Sequence, residues 1–274
     1  MGANANTIWR VPAYLPYLQE PLTTKAIASA EKQIGRKLPV EYLNLLKKQN
    51  GGYIRFSLPE SPHNSIAGIG NHFPSLTGFD WDDCQEHVSF PLQGLVPFDG
   101  DGHWHLCLDY RQNSDTPSIT FADIELDRQT EIARSFAEYL VMLRITVDSE
   151  YVLEAVSDIE TVIFNLSSIL VIDFEPPESV WNGYPTYRAR LGTGTQPEWI
   201  WISPNTVPRG FVRPSDANYT KLKDLLPGNA PRFPELPERS YILSATDGVR
   251  ARVIDALAQS QVIVRPLRDY LTDS

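Results

Sequence analysis

Residues 31–52 read EKQIGRKLPVEYLNLLKKQNGG, and the punctuation of this stretch decides the fold. Ile27, Ile34, Tyr42, Leu45 and Leu46 recur at roughly helical spacing, interrupted by Gly35 and Pro39. The pattern predicts two short amphipathic helices with a tight joint between them. Gly35 is placed to end the first, because glycine accepts the left-handed conformation that follows many helices. Leu38-Pro39 opens the second, since a proline ring fits the first helical turn, where N–H groups have no partner anyway. Asn50-Gly51-Gly52 is expected to stop it through residues that tolerate positive φ. Tyr53, Ile54, Arg55 and Phe56 then alternate as a first strand.

Working outward, Gly94-Leu95-Val96-Pro97-Phe98 leads into Asp99-Gly100-Asp101-Gly102. His103-Trp104-His105-Leu106-Cys107-Leu108-Asp109-Tyr110 follows, so a glycine-rich turn separates two strand-like runs. Next come Pro117, the strand-like Ser118-Ile119-Thr120-Phe121, then Asp123 and Glu125. Ile132, Phe136, Tyr139, Leu140 and Leu143 predict a closing amphipathic helix.

In this order, over about residues 9–147, these pieces closely resemble the SUKH superfamily, which includes fungal cell-wall-synthesis regulators and bacterial toxin-immunity proteins. The resemblance implies an α+β domain with a curved, mainly antiparallel sheet flanked by helices. It also implies a non-catalytic binding role. By the same resemblance, Leu38, Pro39, Tyr42, Asn50, Gly51, Gly52, Gly100, Gly102, Asp109 and Glu125 belong to the family motif and act as scaffold.

With 274 residues, 42% of them hydrophobic, the chain can bury one large core or two ordinary ones. No apolar run reaches the ~18–20 residues of a membrane span. The start, MGANANTIWR, lacks the apolar core of a signal peptide, so a cytoplasmic location is expected. Cys84 and Cys107 are the only cysteines and form neither a disulfide framework nor a metal knuckle; Cys107, inside an apolar run, is expected to be buried and inert. A net charge of −10 argues against a nucleic-acid partner, which normally demands a basic face.

A boundary near Asp148 divides a SUKH-like domain, 1–148, from a second, smaller α+β region, 149–274, of unrecognised family. Both parts are acidic, at −6 and −4. In the second, Ser157-Asp158 is placed to cap a helix through Ile159, Val162, Ile163 and Leu166, and residues 169–174 read as a strand. Residues 187–191 and 198–202 could pair across the loop between them, 227–237 reads as a surface excursion, and 240–243 as a strand. A helix from Thr246-Asp247 through Leu257 and a strand over 261–265 complete the region. Arg188 and Arg190 share one strand face and could bind an acidic patch or phosphate, with ordinary ion pairing the expected use. Trp199 and Trp201 also share a face and are expected in the core.

From residue 56 to residue 110 there is no lysine or arginine, yet eight acids and all five histidines fall there. Such a window should project negative potential toward a basic partner. Asp82, Asp83, Asp99 and Asp101 are therefore candidate steering residues, and Trp81 a candidate aromatic anchor among them. The bland alternative is a solvated loop whose charges serve solubility. His103 and His105 alternate and could face one side near Asp99 and Asp101, but the ligand set for a metal is incomplete. No nucleophile elbow, phosphate loop or dinucleotide fingerprint occurs.

The expectation is a non-catalytic module without cofactor, metal, nucleic-acid or membrane partner. Its partner is expected to be a cognate toxin, basic, with nucleases as one such class, of a polymorphic or contact-dependent system. Two alternatives stay open: a regulatory scaffold of the cell-wall type, and a metal-dependent or acid–base hydrolase using the His/Asp window of residues 80–109.

Overall fold

The two helices anticipated from the opening stretch are Thr24–Ile34 and Val40–Lys48 in the computed structural model. It describes residues 6–59, 61–81, 84–147, 149–154, 157–191, 197–259 and 262–272. The Thr23 hydroxyl accepts from the Ala26 N–H, satisfying one orphan donor of the first helix. Gly35 ends that helix at φ 73°, and a Cβ there would meet nothing, so the backbone angle alone asks for glycine. Pro39 occupies the N-cap of the second helix.

Asn50 works differently from the expectation. Among the described residues the non-glycine positions with positive φ are Asp127 and Val171, so Asn50 is not there for a left-handed turn. Its buried amide instead bridges three segments. Nδ2 donates to the carbonyls of Glu20 (2.6 Å) and Ile69 (2.9 Å), and Oδ1 accepts from the Ile69 N–H at 2.8 Å. Gly51 beside it has φ 93°, and a Cβ would lie 2.7 Å from the Gly68 nitrogen, so two chain segments touch backbone to backbone.

The chain forms two compact units, one ending at Thr146 and one beginning at Val147. In the first, the strands Leu95–Gly100, Trp104–Asp109, Ser118–Asp123 and Arg128–Ala133 pair in chain order as an antiparallel sheet. Register shifts at Pro97/Asp99 and Ile119/Thr120 mark bulges, which increase local twist. Period-two alternation sends Leu106, Leu108 and Ile119 to one face. There they join Ala30, Tyr42, Leu45, Leu46, Phe136 and Tyr139 from the helices in one core. Tyr42 is fully buried, and its hydroxyl donates to the Ala67 carbonyl at 2.5 Å. On the opposite face Cys107 and Ala122 meet Phe90 and Leu92, so a loop rather than a helix covers it.

The closing helix is shorter than the periodicity suggested. Ile132 lies in the strand Arg128–Ala133, and the helix is Phe136–Met142, begun by Ser135, whose hydroxyl accepts from the Glu138 N–H. The apolar spacing ran through a turn between two elements that share a core.

The second unit holds a five-stranded antiparallel sheet ordered Val264–Pro266, Glu150–Glu154, Ser240–Ala245, Glu198–Pro204, Tyr187–Leu191. The helices Ile159–Leu170 and Asp247–Gln259 pack on the face carrying Ala189, Ile200, Ile202 and Leu243. Asp158 caps the former, its carboxylate accepting from the Thr161 N–H at 2.8 Å. No strand forms over 169–174: the helix continues to Leu170, Val171 turns left-handed at φ 55°, and Phe174 makes only an isolated bridge to Ala189. Residues 227–237 are not wholly irregular either, since Asn229–Pro231 pairs with Thr206–Pro208. Trp199 and Trp201 lie on the face away from Ile200 and Ile202, half-buried and outside that core.

Asn50→Ala should destabilise the first unit by about 3 kcal/mol, because it orphans buried backbone groups worth about 1–3 kcal/mol each. Urea unfolding of the full chain measures this. A loss below about 0.5 kcal/mol would mean that water replaces the bridge.

Candidate partner-binding surface

The acid-rich window separates into two populations. Asp99 is an interior residue: its side chain is 7% exposed, and Oδ2 lies 2.6 Å from Nδ1 of His63, itself fully buried. The same carboxylate accepts from the Ser65 hydroxyl and from the N–H groups of Asn64 and Ser65. His63 Nε2 meets the Tyr139 hydroxyl at 2.5 Å. Burial pushes that phenol well above its usual range, and the Asp99 charge adds to the effect. A carboxylate so enclosed cannot steer a partner, which corrects its assignment to the docking face.

Asp109 is also turned inward. It takes a two-pronged ion pair from Arg111 (2.9 and 2.6 Å) and a hydrogen bond from the Thr120 hydroxyl at 2.9 Å. Burial raises its pKa, but the Arg111 and Thr120 donors outweigh that and hold it below the usual carboxylate range. The scaffold role implied for Asp109 has this physical basis.

The second population forms a rim at one end of the sheet. Asp101 is exposed in the turn before Trp104–Asp109, and its carboxylate accepts from the His103 and Trp104 N–H groups at 2.9 and 3.2 Å. Slight burial raises its pKa, and those donors more than compensate, leaving it lowered. The neighbouring hairpin turn is held against it by the Ile124 N–H, which donates to the His103 carbonyl at 2.8 Å. That turn brings Glu125, 3.6 Å from His103 with both side chains about 70% exposed. It also brings Asp127, which accepts from the Ser89 N–H at 2.7 Å. Asp123 caps the same turn by accepting from the Leu126 N–H, and Leu126 projects with 57% of its surface exposed. Arg128 lies opposite Asp123 in the ladder and is the nearby cation in sequence.

Asp82 and Asp83 lie outside the described residues. Trp81 is half-buried: its indole N–H donates to the Leu95 carbonyl at 2.9 Å, and its ring packs with Phe90, Leu92 and Cys107. It serves the chain's own second core and does not project as an anchor. Leu126, Asp123 and Asp127 had no place in the sequence-based site. The available signal was the short ADIELDR stretch at 122–128, an apolar residue inside an acidic turn between strands.

The two histidines of the window do not share a face. His103 sits exposed in the turn, and His105 is 3% exposed, with Phe79 and Trp81 packed edge-on at 4.5 and 5.1 Å. Burial pushes the His105 imidazole down to about 4, against the opposing pull of Asp101 and Asp99. Among the described residues no three His, Cys, Asp or Glu side chains group to hold a metal ion.

Residues 21–142 match the SMI1 / KNR4 family (SUKH-1). The first unit thus carries a SUKH-superfamily domain, a kind of module that generally binds other proteins and is non-catalytic. Curated proteins and solved structures return no match to the chain. No helix of the described residues is long and apolar enough to cross a membrane.

Because its folded pKa lies below the unfolded value, His105 contributes stability above about pH 6.5 that is lost as pH falls toward about 4. Protonation would place an uncompensated charge between two aromatic rings. An NMR titration of the five histidines should show one ring with a midpoint near 4. His105→Gln should flatten the acid limb of the stability curve. A His105 midpoint above 6 would refute this environment.

Proposed function

We propose that the SUKH domain is an immunity module that neutralises a cognate toxin with a basic surface, a nuclease being one such class. The rim of Asp101, Asp123, Glu125 and Asp127 around exposed Leu126 carries this reading. An apolar residue ringed by carboxylates combines a contact that excludes water with charges that accelerate encounter. The rim belongs to turns fixed by backbone hydrogen bonds, so little ordering is lost on binding. Asp82 and Asp83, which follow Trp81 in sequence, keep their proposed steering role. Neutralisation would be steric and electrostatic: the toxin's active site is covered or held inactive, and no bond in the partner changes.

The surrounding charge supports a basic partner. Asp101 belongs to the stretch 56–110, which contains no lysine or arginine, while beside the other rim acids Arg128 stands opposite Asp123. The hydrolase alternative gains nothing from the geometry, since His105 and Asp99 point into separate interior contacts while His103 and Asp101 are in a surface turn.

In cells that express a toxin found encoded beside this gene, co-expression of this chain should restore growth, and the purified pair should associate rapidly at low salt. Glu125→Lys, at an exposed position of the rim, should slow association severalfold, with the difference shrinking at high salt. An unchanged rate at low salt would remove the rim from the interface. Absence of both protection and binding would reject the immunity reading.

A further inference from the structure

The second unit carries a surface of the opposite kind. On the sheet face opposite the helices Ile159–Leu170 and Asp247–Gln259, where Leu236, and Leu267 of the helix Leu267–Thr272, cover Val152 and Ile242, Tyr187–Leu191 presents Arg188 and Arg190, and Glu198–Pro204 presents Trp199 and Trp201. The antiparallel register sets Arg190 opposite Trp199 and Arg188 opposite Trp201. The indoles lie 6.4 Å apart and 29° from parallel, and the Arg188 guanidinium sits 5.3 Å over the Trp199 ring. Both arginines are exposed and both tryptophans half-buried.

Two observations specify what could cover this face. The first is charge: in a chain of net charge −10, these four adjoining outward positions hold two cations, with Glu175 and Glu178 the carboxylates that act on Arg188. The second is a contact the chain already makes. Arg188 Nε donates to a Glu175 carboxylate oxygen at 2.6 Å, in a pair whose side chains are 49% and 43% exposed. Guanidinium on indole therefore already receives a carboxylate here, and one such bond uses only one of five guanidinium N–H donors.

We propose that this face docks an acidic, aromatic-bearing segment of a partner protein, with carboxylates on Arg188 and Arg190 and rings against the Trp199–Trp201 pair. Tryptophan and arginine are the side chains most enriched at the energetic centres of protein interfaces. Half-burial pre-orders the indoles, so little rotamer freedom is lost on contact. Single-stranded nucleic acid fits less well. The anion that Arg188 already receives is a carboxylate, with Nε donating to Glu175 at 2.6 Å, which favours an acidic peptide over a phosphate backbone. The proposal is independent of the immunity reading, because it concerns different residues, a different unit and a partner surface of opposite charge.

Fluorescence anisotropy of the full chain with a labelled poly(Glu,Tyr) copolymer, and separately with labelled oligo(dT), tests it. The copolymer should bind saturably, more weakly as salt is raised. Arg188→Gln/Arg190→Gln, at exposed positions, should weaken binding about tenfold or more, with urea unfolding showing that the double variant stays folded. Trp201→Phe should weaken it less, and Arg252→Gln, at an exposed position assigned to no site, should leave it unchanged. No saturable copolymer binding, equal binding by the double glutamine variant, or tighter binding of oligo(dT) than of the copolymer would overturn the proposal.

Discussion

A hydrogen-bonded chain running from Asp99 through His63 to Tyr139 ties a loop, a bulged strand and the closing helix of the first unit together inside its core. The carboxylate can only accept, so with the imidazole neutral the proton belongs on Nδ1, leaving Nε2 to accept from the phenol. Each group is dry: His63 and Tyr139 are at or near zero exposure and Asp99 is nearly so. In such surroundings a satisfied network is strong and a broken one costly, because removing one partner strands a charge or a polar atom away from water. The Asn50 bridge does the same work with neutral groups, joining its own segment to Glu20 and Ile69.

The interior junction also shapes the surface. By holding Asp99 at the bulge of Leu95–Gly100, it fixes where the next strand begins, and so where the Asp101 turn stands. From that turn, backbone hydrogen bonds carry the arrangement to the Glu125–Asp127 turn. The partner-facing rim is thus an outgrowth of core packing, which suits recognition by a rigid, preformed surface. The window without lysine or arginine serves both roles. Its inward acids pair with His63 and Arg111, and its outward acids meet few local cations.

Helix ends and hairpins were legible because their chemistry is local. Gly35, Pro39, Asp158 and the Asp-Gly-Asp-Gly turn each announce a backbone conformation within a few residues. The pairing of 187–191 with 198–202 was legible for the same reason, as two alternating runs flanking a short loop. What sequence could not distinguish was direction. Asp99 and Asp101 look alike two residues apart, yet Asp99 lies in the strand Leu95–Gly100 against His63, whereas Asp101 lies beyond the strand's end in the turn. Trp199 and Trp201 were read as core because tryptophan is usually buried, whereas the smaller Ile200 and Ile202 between and beyond them take the helix-covered face. Residues 169–174 misled because a short apolar run fits a helix end and a strand equally.

The interior half of this picture can be measured without any partner. A double-mutant cycle combining Asp99→Asn and Tyr139→Phe, two residues that both contact His63, measures the energy that couples them, through the imidazole and through the field of the Asp99 charge on the phenol. A coupling of about 1–2 kcal/mol in urea unfolding is expected for a relay in low dielectric. Additivity within about 0.4 kcal/mol would mean that the three groups act separately and that Asp99 has no structural claim distinguishing it from the acids of the rim.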